Sequence, residues 1–276
     1  MSEIAKMLED RFGTGVEVDA EQANGTIKGL LGRNVCRAFT EQDIDEGLLN
    51  LLLACAQSAP TKSNLQQYSI VVVRDGATRK AVADLVPSMP WIADAPVFLA
   101  FLGDVRRIRR LAGMRGHDYA NNNADTFMNA AVDAALAMQM FINAAESAGL
   151  GCCPISYVRN RIEDFGDLLS LPDGVFPICG LVVGWPARAG YVSMRLPPAV
   201  VVHRERYDDS NLEADVAAYD DRNHARFPLP AAKQRHTDKY GVLEKCTWSE
   251  NVARQLSLPE RAGFAAHLKS KGIDLG

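Results

Sequence analysis

The stretch 124–148, ADTFMNAAVDAALAMQMFINAAESA, decides most of the fold. Its apolar residues Phe127, Ala130, Ala131, Ala134, Ala135, Met138, Phe141, Ile142 and Ala145 recur at steps of three and four, the period of a helix with one buried face. The spacing predicts a helix over residues 124–148. Asp133, Gln139, Asn143 and Glu146 interrupt it, whereas a membrane span needs about 20 mainly apolar residues. Its many alanines permit close backbone approach, which suits either a monomer's core or a contact with a second copy. An obligate dimer is the expectation.

Outward from this helix, short apolar runs alternate with helical patterns. Tyr68–Val73 is rich in β-branched residues and ends at Arg74-Asp75-Gly76, which reads as a strand leaving through a turn. Residues 96–102 and 176–185 are further apolar runs, with shorter ones at 150–156 and 198–202. Together they predict a four- or five-stranded mixed sheet. A helical stripe runs from Asp43 to Ser58 through Ile44, Leu48, Leu51, Leu52 and Cys55, and another helix is expected over residues 77–86. The architecture expected is α+β, a central mixed sheet flanked by helices. Residues 1–31, with Ile4, Met7, Leu8 and Phe12 before Gly13 and Gly15, are expected to form a peripheral N-terminal extension. Residues 32–276 then make one domain, whose weakly periodic extension (187–276) wraps around the body and carries short helices at 248–257 and 259–271.

Composition narrows the function. With 276 residues, 47% of them hydrophobic, the chain can bury a sizeable core, and a formal net charge of -4 gives no general attraction to nucleic acid or to a membrane surface. The opening MSEIAKMLEDRF lacks the apolar run of a secretory signal, and six cysteines without CxxC spacing fit a reducing cytoplasm. The five histidines are scattered, so no metal is expected. There is no GxSxG elbow and no P-loop, and Gly149-Leu150-Gly151 runs into Cys152-Cys153-Pro154 instead of completing a GxGxxG fingerprint. Two basic stretches stand out, Arg106 to Arg115 and Lys233 to Lys245. Each reads first as a solvated face and second as a site for a nucleotide 2′-phosphate.

Six segments carry a further signal: Arg33-Asn34-Val35-Cys36-Arg37-Ala38-Phe39, Ala59 to Gln66, Ala144 to Gly151, Val158-Arg159-Asn160, Gly180 to Pro186, and Arg195-Leu196-Pro197. In this order and spacing they resemble the nitroreductase family, nearest its NADPH-dependent flavin-reductase and major oxygen-insensitive nitroreductase branch, over roughly residues 33–270. The resemblance implies FMN as cofactor. Arg33, Arg37 and Arg195 would meet its phosphate, where bidentate guanidinium contacts suit the chemistry, with Arg33 and Arg37 read as preceding a helix, and Asn34 is a further cofactor-binding candidate. Thr61, Ser63, Asn64 and Gln66 would contact the flavin or frame its pocket, Asp133 matches an acidic position of the branch, and Pro154, Ile155 and Ser156 fall where the family places backbone near flavin N5. Tyr157, Lys233, Arg235 and Lys239 are candidates for binding the substrate or NADPH.

This chain also departs from the family pattern. Asn34 and Val35 stand where the family has Arg-Ser, Met89 replaces a ring-contacting Gln, Ser156 and Tyr157 replace two glycines, and Ser193 replaces a Lys. No catalytic side chain is implied, because the flavin carries the chemistry. NADPH or NADH would supply hydride, and a nitroaromatic, quinone, azo compound or free flavin would take the electrons at the same face, in ping-pong fashion, within a homodimer. A flavin-binding sensor or carrier is one alternative. A specialised flavin enzyme on the same fold, a reductive dehalogenase or a dehydrogenase, is the other.

Overall fold

The computed structural model describes residues 2–275. In chain order its main elements are α1 (Glu3–Phe12), α2 (Gly25–Gly32), α3 (Glu46–Gln57), β1 (Tyr68–Val73), α4 (Gly76–Leu85), β2 (Val97–Asp104), α5 (Arg106–Met114), α6 (Ala124–Ser147), β3 (Gly151–Ile155), α7 (Ile162–Leu168) and β4 (Val175–Gly184). The chain continues through α8 (Pro198–Val201), α9 (Leu212–Arg226), α10 (Thr237–Tyr240), α11 (Trp248–Leu256) and α12 (Phe264–Ser270). It divides into two compact units, a helical one of Met1–Asn34 with Tyr191–Glu260 and a sheet-bearing one of Val35–Gly190 with Arg261–Gly276.

The α+β class holds, and the sheet order is β1-β2-β4-β3. The expected mixed sheet does not: all three strand pairs are antiparallel. β2 and β3 point the same way, but β4 lies between them, so no parallel pair forms. Which strand sits beside which is a long-range choice that apolar runs do not encode. β2 is buried along its whole length, and its side chains alternate between two cores. Val97, Leu99 and Phe101 face α3 and α6, where Phe101 meets Phe141 edge-on with ring centroids 6.3 Å apart. Phe98, Ala100 and Leu102 face the other side, where Phe98 meets Phe165 at 6.1 Å. Burial on both faces explains why β2 reads as an unbroken apolar run. Gly180 on β4 is required there, since a Cβ would come within 2.6 Å of the Phe98 ring.

The long helix forms as its pattern predicts. Asn123 caps α6 by accepting the Thr126 N–H, and Ala130, Ala134, Ala137, Phe141, Ile142 and Ala145 are buried. Met128, Val132, Leu136 and Met140, four residues apart, leave an apolar ridge exposed on the same helix. The run 198–202 is a short helix, not a strand, because Pro198 opens α8 at a position where its fixed φ and missing N–H suit a helix start. Among the described residues, no helix is long and apolar enough to cross a membrane.

Candidate functional site

In the sheet-bearing unit, the polar loop between α3 and β1 is held in an uncommon backbone conformation. Ser63, Asn64 and Gln66 have φ values of 49°, 57° and 52°, in the left-handed region that side chains disfavour. Asp133, buried on α6, explains how the loop keeps that shape. Its carboxylate accepts the Lys62 N–H at 3.2 Å on one oxygen and the Gln67 N–H at 2.9 Å on the other. Within the loop, Thr61 Oγ1 accepts the Gln66 N–H at 3.4 Å and Asn64 Oδ1 accepts from Gln66 Nε2 at 3.2 Å. Arg107, from the first turn of α5, donates to the carbonyls of Gln66 at 2.8 Å and Tyr68 at 3.1 Å, and pairs with Asp104 at 3.0 Å. The side chains of Ser63, Asn64 and Gln66 are exposed on this braced loop. The carboxamide oxygen of buried Gln67 has no partner, an acceptor left over at the loop's end.

Pro154 and Ile155 close β3, and Ser156 and Tyr157 follow with exposed side chains. Arg261 bonds Asn160 Oδ1 at 2.8 Å and reaches Ser156 Oγ at 3.4 Å, while Arg159 donates to the Ile178 carbonyl. Cys179 lies beside them, and burial pushes its thiol up, away from the reactive thiolate. Arg37 is exposed on a segment tied to β3 by a bond from Cys36 N to the Cys152 carbonyl at 3.0 Å. Neither arginine of the first motif precedes a helix: Arg33 caps the C-terminus of α2, and the next helix, α3, begins only at Glu46. α2 (Gly25–Gly32), capped by Asn24, is a second helix of the N-terminal segment, which the apolar stripe of Ile4, Met7, Leu8 and Phe12 does not foretell.

The remaining candidates lie in the helical unit. Arg33 and Asn34 are half-buried, and Arg195 is exposed. The Arg195 guanidinium is held by Ser193, whose hydroxyl accepts at 2.8 Å, so the residue that replaces the family's Lys orients the arginine beside it. Lys233, Arg235 and Lys239 are exposed on a tail segment organised by two buried side chains. Gln234 pairs with both the N–H and the carbonyl of Leu243, and Arg254 bonds Glu250 at 2.6 Å and the Gly241 carbonyl at 2.7 Å. Lys239 sits 4.9 Å from the centre of the Tyr240 ring, and its hydrogen bond leads the causes that lower the Tyr240 hydroxyl pKa.

The residues that sequence reasoning missed are charges that hold backbone: Arg11 and Arg254, which are buried, and Arg107, which is exposed. One signal was available. Arg11 falls on the stripe of Ile4, Met7 and Leu8 at helical spacing, so it had to be buried with them. A buried arginine needs partners.

Comparison with known proteins matches the chain in two consecutive segments. Residues 30–185 match the family model described as Nitroreductase family, and residues 193–276 match Nitroreductase family, C-terminal domain. An FMN reductase [NAD(P)H] of Bacillus subtilis (strain 168) is 36% identical over 203 residues, 72% of this chain and 81% of that protein. The oxygen-insensitive NADPH nitroreductase of Salmonella typhimurium is 32% identical over 247 residues, covering 90% of this chain and 97% of the relative. Among solved structures, NfrA2 of B. megaterium superposes with a TM-score of 0.84 at 28% identity, covering 92% of this chain and 100% of the other. The NADPH:FMN oxidoreductase of Vibrio harveyi complexed with NAD+ gives a TM-score of 0.79 at 29% identity, with 90% and 98% coverage.

Proposed function

Because the chain belongs to the nitroreductase family, we propose that it is an FMN-dependent NAD(P)H oxidoreductase that reduces a small organic acceptor. The observation that carries this reading is the loop from Thr61 to Gln67. A buried carboxylate fixes its backbone, and the side chains of Ser63, Asn64 and Gln66 are exposed to meet a polar ligand edge. Bound FMN supplies the redox chemistry, alternating between the nicotinamide and an acceptor such as a nitroaromatic, a quinone or a free flavin.

The chain's own residues bind and orient. Thr61, Ser63, Asn64 and Gln66 offer donors and acceptors for the ribityl chain and ring edge. Arg33, Arg37 and Arg195 serve the phosphate, with Asn34 beside Arg33. Pro154, Ile155 and Ser156 present backbone to the ring, and Tyr157, Lys233, Arg235 and Lys239 meet the substrates. Asp133 acts through the loop, since both of its oxygens are occupied by backbone amides.

The exposed ridge of Met128, Val132, Leu136 and Met140 supports a homodimer built on α6, because contiguous apolar surface of this kind marks interaction sites. A cytoplasmic location fits six cysteines among which no disulfide forms. The absorption spectrum of freshly purified protein tests the cofactor, with flavin bands expected. Rapid mixing with NADPH then tests turnover: bleaching of those bands, followed by recovery on adding a quinone, is the expected course. A colourless protein that FMN does not reconstitute overturns the reading.

A further inference from the structure

Helix α1 lies outside both matched family segments, the first of which begins at residue 30. It nevertheless holds the residues on which the phosphate reading depends. Arg11 is 8% exposed, and its guanidinium donates to the carbonyls of Leu31 at 2.8 Å, Arg33 at 2.5 Å and Ser193 at 2.9 Å. Its own carbonyl accepts the Arg195 N–H at 2.7 Å. One side chain and its backbone therefore tie together the two segments that carry Arg33 and Arg195.

The helix that presents Arg11 is itself pinned. Gly13 ends α1 at a φ of 67°, and a Cβ there would come within 2.3 Å of the Met194 methyl, so the chain between Ser193 and Arg195 packs directly on the helix end. Arg226 of α9 bonds the Glu9 and Asp10 carbonyls at 3.4 and 3.3 Å and the Asp10 carboxylate at 2.5 Å. Guanidinium suits the task because it has five donors in a rigid plane and is weakly hydrated for a cation.

We propose that Arg11 is a positioning residue for the flavin phosphate, fixing the backbone from which Arg33 and Arg195 reach it. This rests on the reading of those two arginines as phosphate ligands. Cations gathered for a dianion repel one another while the site is empty, and side chains alone would drift apart. A brace on the main chain removes that freedom before the ligand arrives, so less ordering remains to be done on binding.

The test compares FMN with riboflavin, which lacks the phosphate. Both are titrated into the flavin-free full-length protein, and the ratio of their dissociation constants is read. Wild type should favour FMN, and Arg11→Met should lower that ratio about tenfold, close to the loss produced by Arg195→Ala. Lys6→Ala, on the exposed face of α1, should leave it unchanged. A residue that merely supports the fold would weaken both flavins alike and keep the ratio. If wild type binds FMN no better than riboflavin, the phosphate reading itself fails. If wild type discriminates and Arg11→Met does so equally, the positioning role fails. Should Arg11→Met not fold, Arg11→Lys, which keeps the charge and some donors, should give a partial loss of the ratio, and an undiminished ratio there overturns the proposal. Hydrogen exchange on the wild type gives a check that needs no variant. FMN should slow exchange in residues 9–13 together with 193–196, and exchange in residues 9–13 indifferent to FMN contradicts the proposal.

Discussion

Asp133 and Arg11 do the same work with opposite charge in different units. The carboxylate of Asp133 gathers two backbone N–H groups at the ends of the Thr61–Gln67 loop, and the guanidinium of Arg11 gathers three carbonyls from two segments distant in sequence. Both are buried, and in both the charge is met by main chain. A buried charge that grips backbone cannot release one bond without leaving polar groups unmet, so it fixes conformation more tightly than a surface pair can. Where the two differ is in reach. Asp133 braces a single continuous turn, and Arg11 joins segments about 160 residues apart, so the first should govern local shape and the second relative placement.

The most damaging way to break this comparison is Asp133→Ala. Two backbone amides, that of Gln67 buried and that of Lys62 partly so, lose a charged acceptor, so stability should fall by about 3 kcal/mol, taking roughly 1.5 kcal/mol per bond, and flavin should be lost with it. Urea unfolding measures the first effect, and a change below about 1 kcal/mol would mean that water replaces the carboxylate without cost. Asp133→Asn should fall in between, since one of its two acceptors becomes a donor facing an N–H.

Next in size is Arg195→Ala, which removes a proposed phosphate contact and keeps the brace. After dialysis it should retain FMN at least about tenfold less well than Lys239→Ala, a difference of roughly 1.4 kcal/mol. Equal retention in the two would place the phosphate elsewhere.

A smaller effect is expected at the tail, where buried Arg254 plays the bracing part. Changing Lys233, Arg235 and Lys239 together to Ala should reduce a modest preference for NADPH over NADH, of about tenfold, towards parity. Because these cations are exposed, raising ionic strength should do the same in the wild type. A preference that ignores both salt and the triple change would move attention to the shallow recess of Arg106, Arg107 and Arg110.

His267 supplies the contrast that sharpens the rule. It is buried on α12, neither ring nitrogen has a partner, and burial leads the causes that lower its pKa, with Lys271 adding to the shift while Glu163 and Asp167 oppose it. An ionisable group without a backbone grip stays neutral. With the folded pKa below the unfolded value of 6.5, the unfolded chain binds more protons in between, so stability is full above about pH 6.5 and declines as pH falls through that window. His267→Gln should flatten that part of the pH–stability curve, and an unchanged slope would assign it to other groups.

Much of the fold was legible because it depends on local periodicity. Tyr68–Val73 and the helix from Ala124 onward emerge with nearly the boundaries their patterns predict. Strand direction was not legible, because the insertion of β4 between β2 and β3 is settled by packing across the whole sheet. The run at 198–202 misleads because β-branched residues after a proline satisfy either a strand or a single helical turn. At the candidate site, residue types pointed to the polar loop, but the left-handed backbone of Ser63, Asn64 and Gln66 has no glycine to announce it. Arg11 lies on the apolar stripe of its helix, but that signal competes with its class, since an arginine on a short helix ordinarily reaches water.

Those three left-handed residues bear on how the protein could be engineered for heat resistance. Replacing Ser63 or Gln66 with glycine would relieve about 1 kcal/mol of steric strain at each position, part of it returned through the freer unfolded chain. A screen for thermal tolerance alone would be drawn to these positions first. Each gain there would delete a side chain proposed to meet the flavin, so selection for durability and selection for turnover should pull this one loop in opposite directions.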